Sequence, residues 1–111
     1  RNNWFPGEVL EETVLHHSKT EAPRRERRVD VLAAHARQAL FEYSPTLLDP
    51  TGPMYRSVRW GPLLELFLLD GRTFRTPNYP APEEAAFLGE AQLAWLENAL
   101  RHSTATWKVI A

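Results

Sequence analysis

Leu63-Leu64-Glu65-Leu66-Phe67-Leu68-Leu69 is a short apolar run held between two turn signals, Gly61-Pro62 before it and Asp70-Gly71 after it. Its length and boundaries predict a strand rather than a helix, and its near-continuous hydrophobicity predicts burial on both faces. Leucine is not a favoured strand residue, so the boundaries rather than propensity carry the assignment. Just upstream, Met54 to Trp60 alternates, with Tyr55, Ser57 and Arg59 on one side and Arg56, Val58 and Trp60 on the other. That is the period of a strand with two unlike faces.

Downstream, Asp70 to Phe87 reads as a long loop through Pro77, Pro80 and Pro82, of the kind that is either functional or a surface insertion. The spacing then predicts a helix over Gly89 to His102. Leu88, Gln92, Trp95, Leu96 and Ala99 make one stripe, broadened by Leu93 and Leu100, while Glu90, Glu97 and Arg101 are left for solvent. Arg101 and His102 fall in the last turn, where positive charge suits the helix dipole. Ser103-Thr104 leads into a β-type run, Thr106 to Ala111. Strand, loop, helix and strand form a βαβ-like unit from Leu63 to Ala111, and the fold class is α/β.

The first half is less regular. Val9, Leu10, Val14 and Leu15 lie near helical spacing and predict a helix over Glu8 to Lys19. Thr20 to Arg28 is polar, with Pro23 limiting any helix through it. Val29, Leu32, Ala33, Ala36, Leu40 and Tyr43 predict a second helix from about Glu26 to Tyr43, ended by Ser44-Pro45.

The 111 residues carry thirteen Lys+Arg and fourteen Asp+Glu, a formal net charge of −1, which excludes a generally basic nucleic-acid binder and an acidic disordered tail. There is no cysteine, hence no disulfide scaffold, thiolate metal site or cysteine nucleophile in this stretch. No run is long and apolar enough to span a bilayer. The chain opens on loop chemistry with two aromatics, Arg1 to Gly7, and closes on a strand without a turn residue. A terminal strand needs neighbours for its backbone groups, so residues 1–111 are expected to be an internal segment of one domain, truncated at both ends. The alternative is an edge strand of a small complete domain.

Few side chains are grouped for chemistry. His16 and His17 project about 100° apart on a helix and do not readily share one metal, and His35 reads as a surface or packing residue. The cluster Arg24-Arg25-Glu26-Arg27-Arg28 reads as a solvated helix start, because Glu26 interrupts it and no aromatic is interleaved. Asp70-Gly71-Arg72-Thr73-Phe74-Arg75 is the most suggestive stretch, because ligands of open α/β sheets bind beyond the carboxyl ends of strands. Asp70 could orient a neighbouring group, and Arg72 and Arg75 could hold an anion with forked donors. Alternatively, Asp70 pairs with an arginine and pins the loop.

Four stretches, in order, resemble the PhoD-like alkaline phosphatase (alkaline phosphatase D) branch of the metallophosphatases. They are Asn2-Asn3-Trp4; Tyr55-Arg56-Ser57-Val58-Arg59-Trp60-Gly61; Leu69-Asp70-Gly71-Arg72-Thr73-Phe74-Arg75; and Leu88-Gly89-Glu90-Ala91-Gln92-Leu93-Ala94-Trp95-Leu96, continuing to Ser103-Thr104-Ala105-Thr106-Trp107-Lys108-Val109-Ile110. The last is the most specific, matching a Leu-Gly-x-x-Gln-x-x-Trp-Leu run followed by Ser-x-Ala-x-Trp-Lys.

The resemblance implies an exported metal-dependent phosphomonoesterase or phosphodiesterase on an α/β/β/α sandwich, using iron with calcium and acting on phosphate esters. It implies metal and catalytic motifs outside these residues, including Asp-Asp-His-Glu directly before the Asn-Asn-Trp. Within the chain only Asp30, Asp49 and Asp70 are available as aspartates, so no metal ligand and no catalytic residue is assigned here. The parent protein is expected to be the hydrolase and the isolated segment inactive. Asn2, Asn3, Asp70 and Arg72 are the candidates for lining the site or supporting it from behind. The expected partners are the phosphate-ester substrate and the rest of the parent domain, with no nucleic acid and no membrane span. A non-catalytic α/β packing or interaction module on the same scaffold is the competing reading.

Overall fold

The computed structural model describes residues 3–15, 21–44, 49–80, 82–84 and 86–111. The chain divides into two compact units, Arg1–Thr51 and Gly52–Ala111.

In the first unit, β1 (Thr13–Leu15) pairs antiparallel with β2 (Glu21–Pro23). The ribbon continues past both strands. The Arg24 N–H donates to Glu12 O at 2.9 Å, the Leu10 N–H to Arg27 O at 2.8 Å and the Val29 N–H to Glu8 O at 2.9 Å, with Val9 bridged to Arg28. This overturns the helix expected over Glu8 to Lys19: residues 8–15 are extended, and 16–19 lie outside the described residues. Val9 is 61% exposed while its neighbours Glu8 and Leu10 are 7% and 5% exposed, an alternation of period two. β-Branched Val9, Thr13 and Val14 suit that geometry, and the polar stretch in which Pro23 limits any helix supplies the facing partner.

Helix α1 spans Val29–Tyr43, three residues shorter at its start than the spacing predicts. Glu26 is the reason. Its carboxylate accepts the Arg27 and Arg28 backbone N–H groups at 2.9 and 2.8 Å and the Arg28 guanidinium at 2.9 Å, a local arrangement that competes with helix. Those bonds, chiefly the side-chain bond to Arg28, lower the Glu26 carboxyl from its usual 4.5 to about 2. The arginine cluster is engaged within the protein as well, Arg27 Nε donating to Leu10 O at 2.9 Å. Asp30 occupies the first turn of α1, where its charge suits the dipole, and its Oδ1 accepts the Gly7 N–H at 2.9 Å. The helix is buried at Val29 and exposed at Leu32, Leu40 and Tyr43. It ends at Ser44 in extended conformation, as expected; Pro45 lies outside the described residues.

The second unit is a three-stranded sheet with one helix. β3 (Arg56–Trp60) pairs antiparallel with β4 (Leu64–Leu68), Val58 opposite Leu66, and β4 pairs parallel with β5 (Trp107–Ile110), Leu66 opposite Val109. The order is β3-β4-β5, and α2 (Glu90–His102) makes the crossover between the two parallel strands. The fold is therefore mixed α/β, with the βαβ-like unit where the sequence predicts it.

Burial of β4 is less even than expected. Phe67 is fully buried and meets the Trp95 ring edge-on at 6.4 Å, while Leu64, Leu66 and Leu68, on the opposite face, are half-buried. Trp95 also packs on Tyr55 at 4.9 Å, and Tyr55 on Phe74 at 6.1 Å, so α2 is seated on the sheet by aromatics. Trp60 is exposed, against the half-buried pattern of Arg56 and Val58 on its own face, because it lies at the strand's end beside the turn at Gly61. All four residues of β5 are exposed, and among the described residues this strand pairs with β4 alone. No described helix is long and apolar enough to cross a membrane.

Glu65 lies on the same face as Phe67. Its Oε2 accepts the Ser103 hydroxyl at 2.6 Å and the Arg59 guanidinium at 3.3 Å. The Ser103 bond foremost, followed by Ser57 and Arg59, holds the carboxyl below its usual value against the opposing effect of desolvation. A depressed folded pKa adds stability above the unfolded value, and that stability is lost as pH falls through the folded one. Melting temperature should therefore fall as pH drops below the ordinary glutamate range, about 4.3, and the slope should be shallower in Glu65→Gln. Equal acid slopes for wild type and variant would show that this cluster contributes nothing to the pH dependence.

Candidate functional site at the exit of strand β4

Chain leaving β4 is tied first to the sheet and then to the helix. Leu69 N–H donates to Ala111 O at 2.7 Å, and Ala111 N–H to Phe67 O at 2.9 Å, which extends the parallel ladder past both strands. At the next residue the partner changes. The Asp70 N–H donates to Oε1 of Gln92 at 2.7 Å, and Nε2 of Gln92 donates to Asp70 O at 2.9 Å and to Leu88 O at 2.8 Å. Gln92 is fully buried, the one polar side chain in the described part of α2 that is so. Its amide uses both donors and one acceptor, as a buried amide must.

The Asp70 carboxylate turns back onto its own loop. Oδ1 accepts the Arg72 and Thr73 backbone N–H groups, each at 2.9 Å, and Oδ2 accepts the Thr73 hydroxyl. This is an aspartate-initiated turn. The sequence alternative has Asp70 pin the loop by pairing with an arginine; the bonds seen hold the loop through the backbone amides of Arg72 and Thr73 and the Thr73 hydroxyl. Arg75 is committed nearby: its guanidinium donates to the Asn78 side-chain oxygen and lies over the Phe87 ring, 5.6 Å from the centroid. Thr76 closes the far side of the loop through Ala86, its N–H donating to Ala86 O at 3.0 Å and its hydroxyl accepting the Ala86 N–H at 3.1 Å.

Gly89 completes the frame. At φ 77° and ψ 154° it occupies backbone space that is essentially glycine-only, and a Cβ there would sit 3.0 Å from that of Phe74. The Leu88-Gly89-x-x-Gln92-x-x-Trp95 pattern thus has a physical content. Glycine lets the loop meet the helix, glutamine ties the helix to the strand exit, and tryptophan seats the helix on Phe67.

The structure brings Asp70 and Arg72 together in one loop. Asn3 is exposed and belongs to the first unit, and Asn2 lies outside the described residues, as do His16 and His17. His35 is exposed, and the exposed His102 uses Nδ1 toward Asn98 O at 2.8 Å. Among the described residues no three His, Asp or Glu side chains form a group able to hold a metal ion. The three aspartates are each occupied by backbone amides: Asp30 by Gly7, Asp49 by Thr51 and Asp70 by its loop. Among the described residues this donor set does not fit a metal pair. Gln92, read from sequence as one more position on an apolar stripe, is the residue that reasoning missed. The signal was a lone amide among hydrophobic residues, which must find hydrogen bonds once buried.

The sequence pattern of the family described as PhoD-like phosphatase matches residues 1–111. Alkaline phosphatase D of Bacillus subtilis (strain 168) is 35% identical over 94 residues, a match that takes in 70% of this chain and 16% of that protein. No solved structure matches. With its whole length inside the family pattern, the chain belongs to the PhoD-like phosphatases.

Proposed function

We propose that the protein hydrolyses phosphate esters, monoesters or diesters, and that residues 1–111 are an internal segment of one metallophosphatase domain with an α/β/β/α sandwich. The family match over residues 1–111 carries this reading. The relative named alkaline phosphatase D, of which the match covers 16%, supports it. The metals, iron and calcium by family resemblance, would be held by residues outside this chain and would supply the charge that phosphoryl transfer needs. Asp70 and Arg72, with Asn2 and Asn3, belong in this proposal to the rim of the site or its support. Export to the periplasm or the outside of the cell is part of the same reading.

The test uses the full-length protein with p-nitrophenyl phosphate and its bis-ester. Hydrolysis of at least one, lost on chelation and restored by added metal, is the expected result. No turnover of either ester with any metal supplied would favour the competing reading, a non-catalytic α/β module.

A further inference from the structure

A buried side-chain amide that bonds both the N–H and the C=O of one distant residue does what a neighbouring strand would do. Gln92 treats Asp70 in this way, at 2.7 and 2.9 Å, across 22 residues of sequence, at the point where β4 runs out of sheet partners. Its third bond, to Leu88 O, fixes the amide's own orientation within the first turn of α2. Asp70 then passes the constraint on: its carboxylate takes the N–H of Arg72 and of Thr73. Two successive sets of bonds therefore connect the interior of the helix to the backbone of the loop that follows the central strand.

We propose that Gln92 and Asp70 are positioning residues: the Gln92 amide sets the backbone of Asp70, and the Asp70 carboxylate sets the backbone of Arg72 and Thr73, which orients the Arg72 side chain for contact with a phosphate ester. The contact with substrate rests on the phosphatase reading above; the two-step positioning does not. Asp70 acts here as an acceptor, through Oδ1 for two amides and through Oδ2 for the Thr73 hydroxyl, and an asparagine at this position keeps the oxygen that takes the amides. That separates it from a metal-binding aspartate, which asparagine does not replace.

The experiment uses the full-length protein and two independent readouts. In amide hydrogen exchange, Gln92→Leu and the same-sized Gln92→Glu should each speed exchange at Asp70, Arg72 and Thr73 by about tenfold or more, local opening being separable from the global kind. The β3–β4–β5 ladder should keep its protection. Unchanged protection at Arg72 and Thr73 in a folded variant overturns the proposal, whatever the protein's activity.

In steady-state kinetics with p-nitrophenyl phosphate, Gln92→Leu should lower kcat/KM by about tenfold, within the roughly hundredfold that a misplacement of about 1 Å costs. Adding Arg72→Ala should then cost less than it does in wild type, since residues acting as a unit are non-additive. Asp70→Asn keeps the amide-accepting oxygen and should retain most activity, whereas Asp70→Ala should behave as Gln92→Leu does. Additive losses, or an Asp70→Asn variant as impaired as Asp70→Ala, overturn it. A wild-type protein without phosphatase activity would sink the functional reading alone, and the exchange result would still decide the positioning.

Discussion

Phe67→Ala is expected to lower the unfolding free energy by about 3–5 kcal/mol, the range for emptying a large aromatic site in a packed core. Phe67 is fully buried on the central strand, its partners across the ladder are Ser57 on β3 and Ile110 on β5, and its ring supports Trp95. Removing the ring leaves Trp95 held by Tyr55 alone among the ring contacts of the described residues. The backbone has little freedom to collapse into the space, because the Phe67 carbonyl accepts the Ala111 N–H at 2.9 Å. Phe67→Leu retains most of the volume and should cost less than half as much. A shift in the denaturation midpoint at unchanged slope measures both. A loss below about 1 kcal/mol for the alanine variant would show that the core of this unit lies elsewhere.

Gly89→Ala is expected to be nearly as damaging, for a different reason. Its backbone at φ 77°, ψ 154° carries a cost of about 1–3 kcal/mol for any residue with a Cβ. The new methyl would also stand 3.0, 3.1 and 3.2 Å from Cβ, Cγ and Cδ1 of Phe74, an overlap that adds about 1–3 kcal/mol when a packed neighbour must shift. Gly61→Ala is the internal comparison. Its φ is +61°, but a Cβ there would meet nothing within 4 Å, so only the backbone cost of about 1–2 kcal/mol applies. Trimming Phe74 to alanine in the Gly89→Ala background removes the contacts with Cγ and Cδ1 but keeps Cβ at 3.0 Å, so it should recover only part of the overlap and leave the backbone cost. If Gly89→Ala and Gly61→Ala melt together, the close approach of loop and helix carries no energy.

The second unit was legible because its signals are local. Alternation over residues 54–60, an apolar run closed by Gly61-Pro62 and Asp70-Gly71, and a stripe from Leu88 to Ala99 are each local patterns. Each recurs in the structure with its ends moved by a residue or two. In the first unit helix α1 was legible too, but the ribbon before it was not. Val9, Leu10, Val14 and Leu15 fit helical spacing as well as they fit a ribbon, and only the facing backbone, Arg27 for Leu10 and Arg24 for Glu12, decides between them. Periodicity over so few residues does not carry that information.

For the candidate site, the sequence by itself determined that chemistry-bearing residues cluster at Asp70 to Arg75 after an apolar strand, and which family the motifs resemble. Tertiary structure decided what those residues do. Asp70 is turned onto its own loop, Arg75 onto Asn78 and Phe87, and Gln92 into the gap where the sheet ends. A hydrogen bond depends on the position of both partners, and positions 22 residues apart are brought together only when helix α2 is laid against β4. Side-chain type sets what a residue can donate or accept; packing alone settles to whom.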